Sequence, residues 1–415
     1  MAGAVGMNRA LGPLTIPQYR WFLLSTLAGS MAFQSQQIAM GWLAYDLTKS
    51  PFALGLVLVS WGIPEVAFSL VGGVIADSRS RRQTMAIMTV VSGAVALAIA
   101  TLLVTGQIAF WHLLVGGLVS GAAISLNMPS RQAFVFDLVG PEHLGNAIAI
   151  NSGGMNIMRL LSPALSGFLI GAIGVDAVYY LVVLCYAVSA LTLVFPLNTV
   201  PELIRTSGYH PLTELAEGFR YIRREKTIFW LLVVALTTMF VGLPFRNLMP
   251  AFVVESLGQG PQEYGLLMSM VGLGAILGSI GTVVWGRFRR RRLMLMVMSL
   301  GWGLSLAGFG MSGNLVVAVP LALFLGLTST GSNTLNNVLI QSNVEHALRG
   351  RVLSFYMLTF GLSSLGTLPL GSFAELAGTA TALIWSGLIL TIICVPLALW
   401  GRKMLSAESQ RFANV

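Results

Sequence analysis

Residues 52–76 read FALGLVLVSWGIPEVAFSLVGGVIA, twenty-five residues with a single ionisable side chain, Glu65, near the middle. The length suits a membrane-spanning α-helix, which needs about 20 mostly apolar residues. Lipid offers no partner to bare peptide groups, so only helices and closed barrels span. A barrel strand would alternate apolar and polar residues, and this stretch runs apolar without alternation. A charged side chain at the centre of such a helix costs about 2.5–3.5 kcal/mol on insertion scales. Glu65 is therefore a functional candidate from the outset.

The rest of the chain repeats the pattern. It has 415 residues, 55% hydrophobic and 9% charged. Soluble chains carry about 25% charged residues, so the surface this chain presents is built for lipid. Twelve apolar runs lie near 20–45, 52–76, 84–105, 110–130, 145–172, 176–196, 228–254, 262–286, 293–311, 315–340, 351–374 and 380–401. An all-α polytopic membrane protein of twelve transmembrane helices is expected. Residues 1–197 form an N-terminal six-helix half, 198–227 a linker, and 228–415 a C-terminal half with a short tail. The polar segment Met1–Arg20 lacks a signal-cleavage pattern, so the first run is read as a span that stays.

The formal charge is +9, and its placement decides its meaning. Arg79, Arg81, Arg82, Arg131, Arg205, Arg220, Arg223, Arg224, Lys226, Arg287, Arg289–Arg292, Arg349, Arg351, Arg402, Lys403 and Arg411 fall on one side of a twelve-span alternation. The other side carries Lys49 with Asp46, Asp176, Glu255, Glu263 and Glu375. This positive-inside bias puts both termini in the cytoplasm of a cell-membrane protein. Contact with anionic membrane lipids then accounts for the basic balance, and nucleic acid is not an expected partner. Cys185 and Cys394 sit within apolar runs and read as small buried hydrophobes. In the linker, Leu212, Leu215, Phe219 and Ile222 recur at helical spacing beside Arg220, Arg223 and Arg224, the pattern of an amphipathic helix on the cytoplasmic face.

The two halves echo each other. Pro141-Glu-His-Leu-Gly-Asn146 precedes the fifth run and Glu345-His-Ala-Leu-Arg-Gly350 the eleventh. Gly73-x3-Asp77-x3-Arg81-Arg82 ends the second run and Gly281-x3-Trp285-x3-Arg289-Arg290 the eighth. A six-plus-six duplication explains both, and such halves around a midplane site are a transporter architecture.

Two more ionisable groups lie at membrane depth, Arg159 and Arg246. Ser152, Asn156, Arg159, Pro163 and Ser166 share one helical face, as do Ser30, Gln34 and Gln37. A hydrated cavity would satisfy these groups together, with Gln34, Gln37, Glu65, Asn156, Arg159 and Arg246 as lining candidates. A carboxyl there can take and release a proton, which makes Glu65 the candidate proton or cation site. The arginines can fork onto an anionic substrate group. A structural ion pair joining Glu65 to either arginine is the alternative. Sequence signatures of hydrolases, zinc proteases and P-loop ATPases are absent, so neither an enzyme, a metal nor a cofactor is expected.

The segment Gly72-Gly73-Val-Ile-Ala-Asp77-Ser-Arg79-Ser-Arg81-Arg82 resembles the cytoplasmic loop motif of the major facilitator superfamily. Gly41-Trp42-Leu-Ala-Tyr45-Asp46-Leu-Thr48-Lys-Ser50-Pro51, Asn127-Met-Pro129-Ser-Arg131-Gln132-Ala133 and Arg349-Gly350-Arg351-Val-Leu-Ser354 look like one branch of it. That branch is the third drug:proton antiporter group, with enterobactin-type and macrolide-type exporters. The resemblance implies that Gly73, Asp77, Arg81 and Arg82 form a gating latch. It likens Arg159-x3-Pro163-x3-Gly167 to the antiporter motif, with Ser162 and Ser166 where that motif favours glycine. The buried arginine that many drug:proton antiporters carry in span four is missing, and Leu113 stands near its place. The function implied is proton-driven efflux of amphiphilic small molecules, of the drug or siderophore class, by a protein favoured to act as a monomer. An uncoupled facilitator or importer is one alternative, and a non-transporting membrane scaffold or receptor is another.

Overall fold

The computed structural model describes residues 12–78, 80–195, 211–285, 291–345 and 348–413. After a short 3-10 turn, Gly12–Thr15, the chain is a succession of helices. They are α1 Pro17–Thr48, α2 Pro51–Ser78, α3 Arg81–Val104, α4 Phe110–Ala172, α5 Val175–Val194, α6 Pro211–Arg224, α7 Lys226–Thr237, α8 Phe245–Glu255, α9 Pro261–Trp285, α10 Arg291–Gly310, α11 Leu315–Asn343, α12 Arg349–Ala377 and α13 Thr379–Ala413. Among the described residues, nine segments are long and apolar enough to cross a membrane, with α4 counted once and Lys226–Glu255 taken as one segment.

Two places depart from the spacing of the apolar runs. The fourth and fifth runs have no loop between them, because α4 continues through 131–139 and restarts at 141. The break is one residue, Gly140, at φ 66° and ψ 178°, a left-handed conformation open to glycine, followed by Pro141. The seventh span is interrupted, because α7 passes into a π-turn, Thr238–Gly242, before α8 begins. Elsewhere local chemistry sets the ends. Ser80 caps α3 by accepting from the Gln83 amide at 3.2 Å, and Asn314 caps α11 by accepting from Val317 at 3.0 Å.

The chain clusters into two compact units. Unit 1 takes Met1–Leu47 with Ser60–Tyr209, and unit 2 takes Thr48–Val59 with His210–Val415. In unit 1, α3 packs on α4 and α5, and Tyr19, Phe22, Met85, Phe134, Ala147 and Leu193 form a buried cluster spanning both sides of Gly140. In unit 2, α11 packs on α9 and α10, and α10 on α13. Close approach there depends on glycine. A Cβ at Gly274 would lie 1.9 Å from the Leu323 carbonyl oxygen, and one at Gly326 2.0 Å from that of Val271. With lipid as apolar as leucine, van der Waals contact between such small residues is what holds helices together.

Candidate functional site

Unit 1 carries five of the six lining candidates. Gln34 and Gln37 on α1 are half-buried, while Gln36 between them is fully buried. Gln36 accepts at Oε1 from the Tyr186 hydroxyl at 3.1 Å and donates from Nε2 to Ser120 Oγ at 3.4 Å, joining α1, α4 and α5. Glu65 follows Pro64 inside α2 and its side chain is exposed. Asn156 and Arg159 are half-buried on the second part of α4. One and two turns further along, Ser162, Pro163, Ser166 and Gly167 are buried. The polar stripe read from spacing thus passes from accessible to enclosed along its length. Among the described residues Glu65 and Arg159 make no ion pair with each other. Leu113 is fully buried.

Arg131, which the sequence offered as a marker of the basic side and as part of the Asn127–Ala133 segment, turns out to be a hub. Its Nε donates to Asn127 Oδ1 at 3.1 Å and its Nη1 to Thr26 Oγ1 at 3.0 Å. Ser25 and Ser189 lie 3.4 Å from the guanidinium, and the Phe22 ring centroid 5.8 Å from Cζ. The small polar residues of α1 and α5 that surround it were the available signal, since Ser25, Thr26 and Ser189 interrupt apolar runs.

At the basic end of unit 1, Arg81 Nη1 meets Asp137 Oδ2 at 2.7 Å, with the Asp137 side chain only 4% exposed. Arg82 donates to the Val194 carbonyl at 3.2 Å. The surroundings of Gly73 and the side chains of Asp77, Leu212 and Leu215 lie outside the described residues. A carboxylate as buried as that of Asp137 requires its cation, because an uncompensated charge in low dielectric is costly.

In unit 2, Arg246 is half-buried one residue into α8. Beside it, Asn247 Nδ2 donates to Thr367 Oγ1 of α12 at 3.0 Å. Its position follows from the π-turn. Five-residue turns leave carbonyls out of the α-helical ladder and often mark functional sites. Here Ser386 Oγ of α13 donates to the freed Val241 carbonyl at 2.6 Å. Gly366 of α12 lies so near that a Cβ would fall 2.2 Å from the Phe240 oxygen. The break thus takes a donor from α13 and is packed closely by α12, and it presents Arg246 and Asn247 at the start of a new helix.

The chain resembles known transporters over nearly all its length. A family model described as transmembrane secretion effector matches residues 8–411. The staphyloferrin A transporter of Staphylococcus aureus is 24% identical over 88% of this chain and 91% of its own length. The enterobactin exporter EntS of Shigella flexneri is 25% identical over 81% of this chain and 80% of its own. Macrolide efflux protein A of Streptococcus pyogenes is 22% identical over 86% and 89%. Among solved structures, the nucleoside transporter NupG superposes with a TM-score of 0.68 at 16% identity, covering 94% of this chain and 99% of its own. The D-xylose–proton symporter gives 0.71 at 15% identity, covering 91% and 96%. These two likenesses establish the fold.

Proposed function

The chain belongs to the transmembrane secretion effectors of the major facilitator superfamily, and from that premise we propose that it exports amphiphilic small molecules across a cell membrane by proton-driven alternating access. It is a multi-pass membrane transporter and not an enzyme. The relatives named for staphyloferrin A, enterobactin and macrolides point to a siderophore- or drug-like substrate. In this reading both termini are cytoplasmic, as the basic loops favour, and the protein works as a monomer.

The observation that carries the proposal is Glu65. It is an ionisable side chain in mid-helix, exposed on α2, with no ion pair to Arg159 among the described residues. A pair locking α2 to the second part of α4 would have joined it to Arg159. A proton-carrying role needs it accessible. Gln34, Gln37, Asn156, Arg159 and Arg246 are assigned to the substrate path, with the arginines taking an anionic group. Gly73, Asp77, Arg81 and Arg82 are assigned to gating, and Pro163 and Gly167 to the packing of the antiporter-like helix. Alternating access requires proton and substrate to favour different conformations, each by its differential affinity.

One observation favours a second reading. Leu113 is buried and apolar near the place where a relay arginine is common, which suits an uncoupled facilitator. Reconstituted vesicles separate the two. Uptake of an amphiphilic cargo into inside-out vesicles should follow an imposed ΔpH and collapse with a protonophore. Flux that follows the substrate gradient alone would favour the facilitator.

A further inference from the structure

The last turns of α6 lie where the chain is about to enter the membrane, because α7 begins at Lys226, two residues after α6 ends at Arg224. One face of α6 is docked on unit 2. Ile222 is buried in the core cluster with Trp230 and Leu231, and Tyr221 packs against it. Glu217 pairs with Arg351 of α12, and the Phe219 ring sits 6.4 Å from that of Phe355. These contacts fix which face looks outward. On that outer face Arg220, Arg223 and Arg224 are exposed, and Arg223 stacks over Phe219 at 5.9 Å. Phe219 is itself 52% exposed, and Phe229, one turn into α7, is 43% exposed. One guanidinium, that of Arg223, therefore stands over an apolar ring, with Arg220 and Arg224 exposed beside it, close in the chain to where a span starts.

The neighbouring start of α12 adds to this. Its N-cap, Leu348, offers no side chain to the first amides. The Nε of Arg349 is buried and meets no acceptor among the described residues. Uncapped amides and guanidinium donors both favour a phosphate oxygen. Acidic neighbours are Glu217, committed to Arg351, with Glu225 and Glu345 exposed.

We propose that the outer face of α6, with the adjoining start of α12, is a docking surface for an anionic phospholipid, headgroup phosphate on the arginines and acyl chain against Phe219 and Phe229. The apolar rings beside the charges set a lipid apart from a free phosphate ion, which has no use for them. The inference rests on the membrane location of the chain and is independent of what is transported or of its direction.

The test uses the purified full chain in detergent, titrated with phosphatidylglycerol or phosphatidylcholine, with bound lipid counted by native mass spectrometry. Each basic residue near a surface contributes roughly a fivefold factor, so Arg220→Gln/Arg223→Gln/Arg224→Gln should weaken phosphatidylglycerol by at least about tenfold. Phosphatidylcholine retention should not change. The triple substitution to lysine should keep most of the binding, and Arg291→Gln/Arg292→Gln should leave it intact. Where the triple glutamine variant does not fold, the three single variants carry the test, each weakening binding a few-fold. Native-like phosphatidylglycerol binding in the glutamine variants would overturn the proposal. So would equal loss in the Arg291/Arg292 variant, or displacement of the lipid by millimolar inorganic phosphate.

Discussion

Arg131 of α4 reaches Thr26 of α1 at 3.0 Å, and every hydrogen-bond partner of its guanidinium seen here, Asn127, Ser25, Thr26 and Ser189, is neutral. A cation is thus held in unit 1 by hydroxyl and amide dipoles, spread over three helices. Ser25 and Ser189 also bond each other at 3.0 Å, so the network has a framework of its own.

Removing the fork should loosen that framework. Hydrogen bonds to a charged group are worth about 1.5–3 kcal/mol, so Arg131→Gln should lower the thermal midpoint in detergent by several degrees. Arg131→Lys, which keeps the charge but cannot fork, should fall between. A midpoint unchanged in both variants would show that the network adds nothing to stability.

Glu65→Gln should abolish ΔpH-driven efflux while expression and folding stay intact. Amide replaces carboxyl with nearly the same shape but cannot exchange a proton. Proton-coupled flux at the native rate in reconstituted vesicles would remove Glu65 from the mechanism.

Asp137→Asn should slow transport without altering substrate preference, as should Asp77→Asn. The Asp137–Arg81 pair at 2.7 Å lies at the basic end of unit 1. Losing one charge of a buried pair supports an expected drop of about tenfold in turnover, the equivalent of 1.36 kcal/mol. A shifted order of preference among several cargoes would contradict the gating assignment.

The span-seven break offers two graded tests. Ser386→Ala strips the Val241 carbonyl of its donor and should cost about 1 kcal/mol. Gly366→Ala drives a methyl into the Phe240 carbonyl, where backbone must move, at about 1–3 kcal/mol. Thermal unfolding with a small-molecule dye reads both. A neutral Gly366→Ala would mean that α12 stands further from the turn than the geometry gives.

Much of this was legible in the residues. Long apolar runs, basic loops and the Gly73–Arg82 segment carry the spans, the fold family and the transporter class. What the residues did not disclose is which side of each helix is enclosed. In water, an apolar stripe marks the core; in lipid, the outward face is apolar too. Leu113 is fully buried while Leu184 is 61% exposed, and nothing in their types separates them. For the same reason Gln36, which makes the interhelical bonds, could not be told apart from Gln34 and Gln37 by residue type. Gly140 was hidden for another reason. Gly-Pro ordinarily signals a loop, yet here one left-handed residue suffices and the helix resumes at once. Arg131 was read for its charge and not for the hydroxyls on other helices that receive it.

The widened turn at Thr238–Gly242 also acts as a counter of residues. A π-turn holds one residue more than an α-helical turn, so deleting a single position there would let the helix wind down to ordinary pitch. The spare residue is taken up within the turn itself, so the helix beyond would keep nearly the same facing, and Arg246 with it. A residue lost from an ordinary stretch of the same helix would instead swing everything after it by about 100°, the angle subtended by one α-helical residue. The widened turn therefore absorbs a change of chain length that a regular helix would pass on, and a single-codon deletion there probes the turn without redirecting that guanidinium.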